Sequence, residues 1–255
     1  MGLAGSRIAP GKACAGRRSG AASFLIADIS YGRQNRGMTH IVPSYILCDP
    51  RPVAKTAPYT FFLPGEPETR AVGEGDLVRL EFEYLHETEE WAGERMWLIV
   101  ERAGEEELLG RLDNHPAEPT SPLKAGDPIA FRRHHILAIT WARPEAAPPP
   151  PRYRTYWERC LVDQCVLDGE EPVECLYREQ PEPLPEGDTY PDSGWRILGR
   201  RGDATDADMD VRDVSYVALG AVLNRDDSWL DWIDAPVGIY LARDFETDAY
   251  SELET

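Results

Sequence analysis

Several groups of residues in this sequence could do chemistry, and the first is a set of cysteines. Cys160, Cys165 and Cys175 are spaced C-x4-C-x9-C with no nearby histidine. Zinc sites that take two thiolates from one tight turn use C-x2-C pairs instead. The spacing therefore predicts free thiols that pack as small core residues, and no metal site.

A second group is a candidate acid–base site. His134 and His135 are adjacent, and Asp113, Asn114 and His115 lie upstream of them. Neighbouring residues of a strand point to opposite faces, so we expect two strand-end histidines that do not serve one site. A hydrolase of unknown substrate that uses His115, Asp113 and His134 or His135 stays open as an alternative function.

Other catalytic patterns are missing from the sequence. Runs of acids such as Glu89-Glu90 and Glu105–Glu107 are typical of solvated turns, whereas a glycosidase needs two acids that converge across a cleft. There is no G-x-S-x-G elbow, no H-E-x-x-H, no Walker A lysine and no G-x-G-x-x-G. We therefore predict no catalytic residue and no cofactor.

The segment Asp192-Ser193-Gly194-Trp195-Arg196 has the composition of a recognition surface. Its indole follows a glycine turn and an acidic loop and precedes an arginine, and Trp and Arg are favoured anchors of protein interfaces. A core position for Trp195 is an equal alternative. The sequence leaves these two readings open.

Charge and composition limit the class of partner. The net charge is −18, yet residues 1–37 hold six basic residues against one acid, so the remainder carries −18 − 5 = −23. So acidic a body repels nucleic acids and anionic membranes and attracts a basic protein, while acidity that serves only solubility is an equal alternative. The odd cysteine count, without a clear secretory signal, predicts a cytoplasmic protein. The oligomeric state is left open.

A proline run divides the chain. Residues 144–151 read Pro-Glu-Ala-Ala-Pro-Pro-Pro-Pro, which favours an extended, semi-rigid spacer. The fold class predicted is α+β, with a small, mainly antiparallel β module (a bent sheet or barrel) joined by this linker to an α+β module. The boundaries are a leader that is disordered or lies upstream of a start at Met38 (1–37), the β module (38–143), the linker (144–152), the α+β module (153–246) and an acidic tail (247–255).

Periodicity assigns the main elements. Leu77–Tyr84 alternates apolar and charged residues, which predicts a half-buried strand after a Gly75-Asp76 turn. In the second module, Thr155 and Glu158 resemble a capping box, and the apolar spacing that follows predicts a helix through Cys165. Residues 216–223 fit a strand or a helix equally well, and the chain from Asp244 is expected to fray.

The second half of the sequence resembles the bacterial immunity protein 33 family. The segments that carry the resemblance are Cys160 to Val173, Tyr177-Arg178-Glu179, Asp192-Ser193-Gly194-Trp195-Arg196, Asp226-Asp227-Ser228 and Ala235 to Arg243. The first half is similar to a second, uncharacterised bacterial domain, through Gly75-Asp76, Glu94-Arg95-Met96-Trp97, Gly110-Arg111-Leu112-Asp113-Asn114 and Gly126-Asp127.

The resemblance implies a non-enzymatic protein that neutralises a bacterial toxin by binding it. Together with the charge, it predicts a basic protein partner that meets an acidic surface. The residues proposed to bind this partner are Arg178, Glu179, Asp192, Trp195 and Arg196. A regulatory adaptor that grips an ordinary cellular partner with both modules is the other alternative.

Overall fold

A computed structural model describes residues 6–8 and 44–253 of the chain. The described chain forms two compact units. One contains residues up to Pro52 and Leu63–Pro151, and the other contains Val53–Phe62 and the chain from Arg152. Both units are mostly β, with a few short helices. The predicted start at Met38 and Cys14 lie outside the described residues.

The first unit is built on an antiparallel, nearly barrel-shaped sheet with the strand order β2-β3-β4-β5-β6, in which β1 also pairs with β4 and β7 with β3. Short helix α2 and a 3-10 turn at Arg133–His135 complete it, whereas helix α1 begins in the first unit and continues in the second from Val53. The strands are β1 (Ser6–Ile8), β2 (Tyr45–Leu47), β3 (Leu77–Tyr84), β4 (Gly93–Ala103), β5 (Glu107–Leu112), β6 (Pro128–Arg132) and β7 (Ala138–Thr140), and the helices are α1 (Arg51–Thr56) and α2 (Glu66–Ala71).

The alternation predicted for β3 is confirmed. Val78, Leu80, Phe82 and Tyr84 are buried on one face of the sheet. Because successive side chains of a strand point to opposite faces, these four residues supply one wall of the first core. Short pairing by Ser6–Ile8 shows that part of the leader joins this sheet through its backbone.

The two Gly-Asp pairs form matching turns. Gly75 and Gly126 have φ of 90° and 92°, a left-handed conformation that glycine adopts without strain. In each turn the following aspartate, Asp76 or Asp127, accepts a hydrogen bond from the backbone N–H three residues before it. Each glycine N–H donates to a carbonyl of the neighbouring strand. The same hydrogen-bonded Gly-Asp turn therefore precedes two strands of this unit.

The second unit contains a six-stranded mixed sheet with helices. Its order is β11-β8-β10-β9-β12-β13, and only the β8–β10 pair runs parallel. The strands are β8 (Arg159–Asp163), β9 (Val173–Arg178), β10 (Asp192–Gly199), β11 (Val214–Ala218), β12 (Tyr240–Asp244) and β13 (Ala249–Glu252), and the helices are α3 (Gln164–Asp168), α4 (Asp206–Asp210) and α5 (Leu219–Leu223), with a 3-10 turn at Leu230–Trp232.

The helix predicted from Thr155 to Cys165 is wrong. Arg159–Asp163 is strand β8, and helix α3 begins only at Gln164. Cys160 and Val162 alternate into the core, and the segment is hydrogen-bonded on both sides, by β11 and β10. Tertiary pairing thus overrides a spacing that also fits a helix. Residues 216–223, which the pattern left undecided, are the end of a strand followed by a short helix.

The expectation that the chain frays from Asp244 is also wrong. Residues Ala249–Glu252 pair with β12 as strand β13. Tyr250 is buried there, and its hydroxyl donates to the carbonyl oxygen of Val173 at 2.9 Å. The backbone pairing with β12 and the burial of Tyr250 together hold the last strand on the sheet. The proline run at residues 144–151 is not extended throughout, because Pro144–Ala146 form a 3-10 turn. The role of this run as a linker stays a prediction.

A buried carboxylate ties the first unit together. The side chain of Glu118 accepts hydrogen bonds from the backbone N–H groups of Glu89, Glu90 and Trp91 and from Thr120. Burial by itself raises the pKa of Glu118, but these hydrogen bonds outweigh it and hold the pKa well below its usual range.

We expect Glu118→Gln to lower the free energy of unfolding by about 1–3 kcal/mol, because an amide cannot accept all of these bonds. The folded pKa is depressed, so the stabilisation is present above the unfolded pKa of about 4.3 and is lost as the pH falls towards the folded value. Urea denaturation between pH 3 and 7 measures both effects. The control is Glu87→Gln, at an exposed residue of the loop whose backbone N–H groups bind Glu118. Equal losses in the two variants would contradict the prediction.

Candidate functional site

The segment Asp192–Arg196 opens the central strand of the second sheet with an irregular turn. Pairing with β8 shifts register between Asp192 and Arg196. Gly194 has a φ of 81°, and a Cβ atom at this position would collide with the backbone carbonyl oxygen of Glu179. In the same place the N–H of Glu179 donates to the carbonyl oxygen of Gly194 at 2.9 Å. Only glycine permits this close approach of the two strands.

A buried ion pair lies across the turn. The guanidinium of Arg196 donates to both oxygens of Asp192, at 3.1 and 2.9 Å. The Arg196 side chain is 8% exposed and that of Asp192 is 1% exposed. Asp192 also accepts from the backbone N–H groups of Glu182 and Gly194. Each charge is therefore fully compensated by short polar contacts, which a buried pair requires.

The pKa values follow from these contacts. Burial by itself raises the pKa of Asp192, but the hydrogen bonds from Arg196 and from two backbone N–H groups outweigh it, so the pKa lies below its ordinary value. The hydrogen bond to Asp192 is the main cause that raises the pKa of Arg196. Both side chains stay ionised at neutral pH, and neither is a proton donor suited to acid catalysis.

Glu179 links this pair to solvent. Its carboxylate accepts from Nε of Arg196 at 3.0 Å, and its side chain is 52% exposed. Glu179 is the exposed member of the Asp192–Arg196–Glu179 cluster.

Trp195 is a core residue, the second of the two alternatives that the sequence left open. Its side chain is 0% exposed, its Nε1–H donates to the carbonyl oxygen of Ile233, and its ring meets Trp229 edge to face at 5.5 Å. Arg178 lies over the indole and donates to the carbonyl oxygens of Ser193 and Ala235. In this arrangement Arg178 and Trp195 position the segment.

The acidic loop 179–191 is held by an arginine that sequence reasoning placed at the start of a helix. Arg159 of β8 binds both oxygens of Asp188, at 2.8 and 3.0 Å, and this contact is the first cause that lowers the pKa of Asp188 to about 2. Ser193 Oγ donates to the Arg159 carbonyl oxygen. The signal for this anchor was available only once Arg159 was known to lie on a strand next to β10.

The two adjacent histidines do not lie on a strand, which differs from what the sequence predicted. His134 and His135 lie in a 3-10 turn, with ring centroids 4.2 Å apart, so the expectation that they point to opposite faces of a strand is wrong. Burial and the neighbouring His134 lower the pKa of His135 to about 4, and its Nδ1 accepts from the Arg132 N–H.

Asp113 and His115 lie at the other end of the same strand pair. Arg132 pairs with Glu107, and Asp113 is six residues further along β5, which corresponds to about 20 Å of strand. The residues of the hydrolase alternative are therefore not brought together.

The cysteines do not converge either. Cys160 faces the core, and burial raises its thiol pKa to about 12. Cys175 pairs with Leu198 and Ala242, on the opposite face from the buried Leu176. Within residues 6–8 and 44–253, no group of three or more His, Cys, Asp or Glu side chains is arranged to hold a metal ion.

In the same described ranges, every helix is too short or too polar to span a bilayer.

Comparison with known proteins identifies one part of the chain. The family model of the Immunity protein Imm33 domain matches residues 160–254. This range contains five strands of the second unit's sheet completely, β9 to β13, and all but the first residue of β8. Searches of curated proteins and of solved structures find no match. The resemblance of the first half to a second bacterial domain stays a prediction.

We expect Arg196→Met to destabilise the chain by about 3–5 kcal/mol, because it leaves the Asp192 carboxylate buried without its cation. Arg201→Met is the matched control: it breaks an exposed pair with Asp206 and should cost about 1 kcal/mol or less. Chemical denaturation measures both changes. The double variant Asp192→Asn with Arg196→Met should lose less than the sum of its single variants, and similar losses in Arg196→Met and Arg201→Met would show that the pair is not the constraint described.

Proposed function

We propose that this chain is an immunity protein, whose second unit binds a toxin and blocks it without chemical turnover. The observation that carries the proposal is the match of the Imm33 domain to residues 160–254, which falls within one compact unit. A protein that neutralises by occlusion needs a complementary surface and no reactive group. The saturated Asp192–Arg196–Glu179 cluster suits such a role, because its charges are fixed in place before a partner arrives.

The charge of the chain favours a basic protein as the partner. The net charge is −18, and the loop 179–191 contains Glu179, Glu182, Glu186 and Asp188 with no lysine or arginine. Glu182 and Glu186 are exposed, as is Glu179. A field of this sign speeds association with a cationic surface and disfavours nucleic acids and anionic membranes. We place the encounter in the cytoplasm of the producing cell.

The five residues selected from the sequence take different roles in this proposal. Glu179 contacts the partner. Arg196, Asp192, Arg178 and Trp195 hold the segment from which Glu179 and the acidic loop project, as their hydrogen bonds and burial support.

The proposal is tested by co-expression with each polypeptide encoded beside the gene that stops growth when it is expressed alone. The wild-type chain should restore growth and bind an inactivated form of that polypeptide in a purified assay. A wild-type chain that neither protects cells nor binds the polypeptide would overturn the proposed function.

The acidic loop should govern the rate of binding. We expect Glu179→Gln, Glu182→Gln and Glu186→Gln together to slow association about tenfold at low salt and to flatten its salt dependence, since three charges near the partner are removed. Surface plasmon resonance at several salt concentrations measures this. The triple change of Glu105, Glu106 and Glu107 to Gln removes equal charge from exposed positions in the first unit and should leave the rate nearly unchanged. Equal slowing in both triple variants would show that the association rate depends on net charge alone and not on the acidic loop.

A further inference from the structure

The mixed sheet of the second unit has one covered face and one open face. Its covered face packs against the helices in a single core that includes Val162, Trp195, Ile197, Leu176 and Leu241. Helices α3 and α5 contribute Val166, Leu219, Val222 and Leu223 to that same core. Residues that alternate with these along each strand point to the other side of the sheet.

Pairing aligns those alternate residues into a row across the sheet. Tyr216 of β11 is opposite Leu161 of β8, Leu161 is opposite Arg196 of β10, and Arg196 is opposite Tyr177 of β9. Tyr177 is in turn opposite Tyr240 of β12. Leu253 follows β13, and its N–H donates to the Tyr240 carbonyl oxygen, which brings the row to the last strand. Directly opposite residues share a face, so all six lie together.

A second row, two residues along each strand, contains Val214, Asp163, Leu198, Cys175, Ala242 and Ser251, four of which are apolar. Asp163 is buried in this row and forms an ion pair with Arg212. We call the two rows together the open face. Six strands at the usual separation make it about 24 Å wide, comparable to one side of an ordinary protein interface.

Aromatic and aliphatic side chains are both exposed on the open face, where Val214 is 55% exposed. Tyr216 is 38% exposed, Tyr240 is 40% exposed and Leu253 is 49% exposed. The rings of Tyr177 and Tyr240 stack at 5.2 Å with an interplanar angle of 9°, which fixes both in place before binding. Rigid tyrosines near a buried arginine are the anchors that protein interfaces use most, and contiguous apolar surface of this kind marks interaction sites.

Acidic loops lie at both ends of the open face. Loop 179–191 precedes the start of β10. Residues 200–213 follow the end of β10 and contain five aspartates and three arginines. Burial and then Asp192 and Asp188 raise the pKa of Tyr216, and burial and then Glu179 raise that of Tyr177. The acidic groups are therefore close enough to act on the tyrosines electrostatically.

Charge also distinguishes between possible occupants. A second copy of this chain, docked by a two-fold axis, would bring identical acidic loops against each other or against an equally acidic body. A partner with an apolar centre and a rim of lysine and arginine would instead satisfy both the tyrosine rows and the loops.

We propose that the open face of the six-stranded sheet is the docking surface for the toxin, which presents to it an apolar patch bordered by basic residues. This inference rests on the proposed function and adds to it the surface and the chemistry of the partner. Tyr177 and Tyr240 form the centre of the contact, and Tyr216 contacts the partner nearer the acidic loop.

The test uses the full chain and an inactivated form of the toxic polypeptide that the co-expression experiment identifies. The variant Tyr177→Ala with Tyr240→Ala should weaken binding at least a hundredfold, mainly through faster dissociation, and Tyr216→Ala about tenfold. Tyr153→Ala removes an exposed tyrosine of the same unit that stacks on Phe62 instead of lying on the sheet, and it should bind as the wild type does. Circular dichroism and thermal denaturation check that every variant is folded.

The conservative variant Tyr240→Phe keeps the ring and should retain binding within a few-fold, which separates contact from folding. If the wild type binds and the folded double variant binds equally well, the open face is not the docking surface, while the immunity function stands. If light scattering shows that the free chain is a dimer that Tyr240→Ala dissociates, a second copy covers the face and the inference is overturned. If the wild type does not bind the toxin, both the proposed immunity function and the assignment of a toxin to the open face are overturned.

Discussion

The buried contact between Asp192 and Arg196 is the interaction on which the second unit depends. Two opposite charges are removed from water here, at a cost that only complete hydrogen bonding offsets. The backbone N–H groups of Glu182 and Gly194 complete the shell of Asp192, and Glu179 completes that of Arg196. Because Gly194 adopts a conformation that other residues reach with strain, the chain can turn tightly enough to form this shell. The acidic loop, the central strand and the tryptophan core are thereby fixed relative to one another.

This constraint gives the sheet two different faces. On one side, Trp195 and Trp229 anchor the hydrophobic core; on the other, Arg196 lies in a row of tyrosines that reaches solvent at both edges. The charged cluster supports the open face without supplying a reactive group. A protein that works by occlusion is expected to look like this, since its affinity comes from a rigid, complementary surface whose groups are ordered before binding. In the proposed function, the acidic loops add long-range attraction to a cationic partner.

Sequence reasoning predicted what depends on local pattern. The alternation in Leu77–Tyr84 and the Gly75 turn were readable from residue type and spacing. The segment Asp192–Arg196 was selected as a binding surface, but Asp192, Trp195 and Arg196 are buried, and its contact with a partner stays a prediction. The strand Arg159–Asp163 was not readable in this way, because its apolar residues fit a helical period as well, and strand pairing decided between them. Nor could the row of tyrosines be foreseen. Tyr177, Tyr216 and Tyr240 are far apart in sequence and meet only through the parallel pairing of β8 with β10 and the return of β12 onto β9. Such alignment is a property of topology, which local pattern does not encode.

Hydroxyl-radical footprinting of tyrosine side chains, with and without an inactivated form of the toxic polypeptide identified by co-expression, tests the central claim most directly. In the free chain, Tyr216, Tyr240 and Tyr153 are all exposed and should be oxidised at measurable rates. In the complex, the account predicts strong protection of Tyr216 and Tyr240 and an unchanged rate at Tyr153. A complex that forms while Tyr216 and Tyr240 remain as reactive as in the free chain would contradict the assignment of the open face as the binding surface.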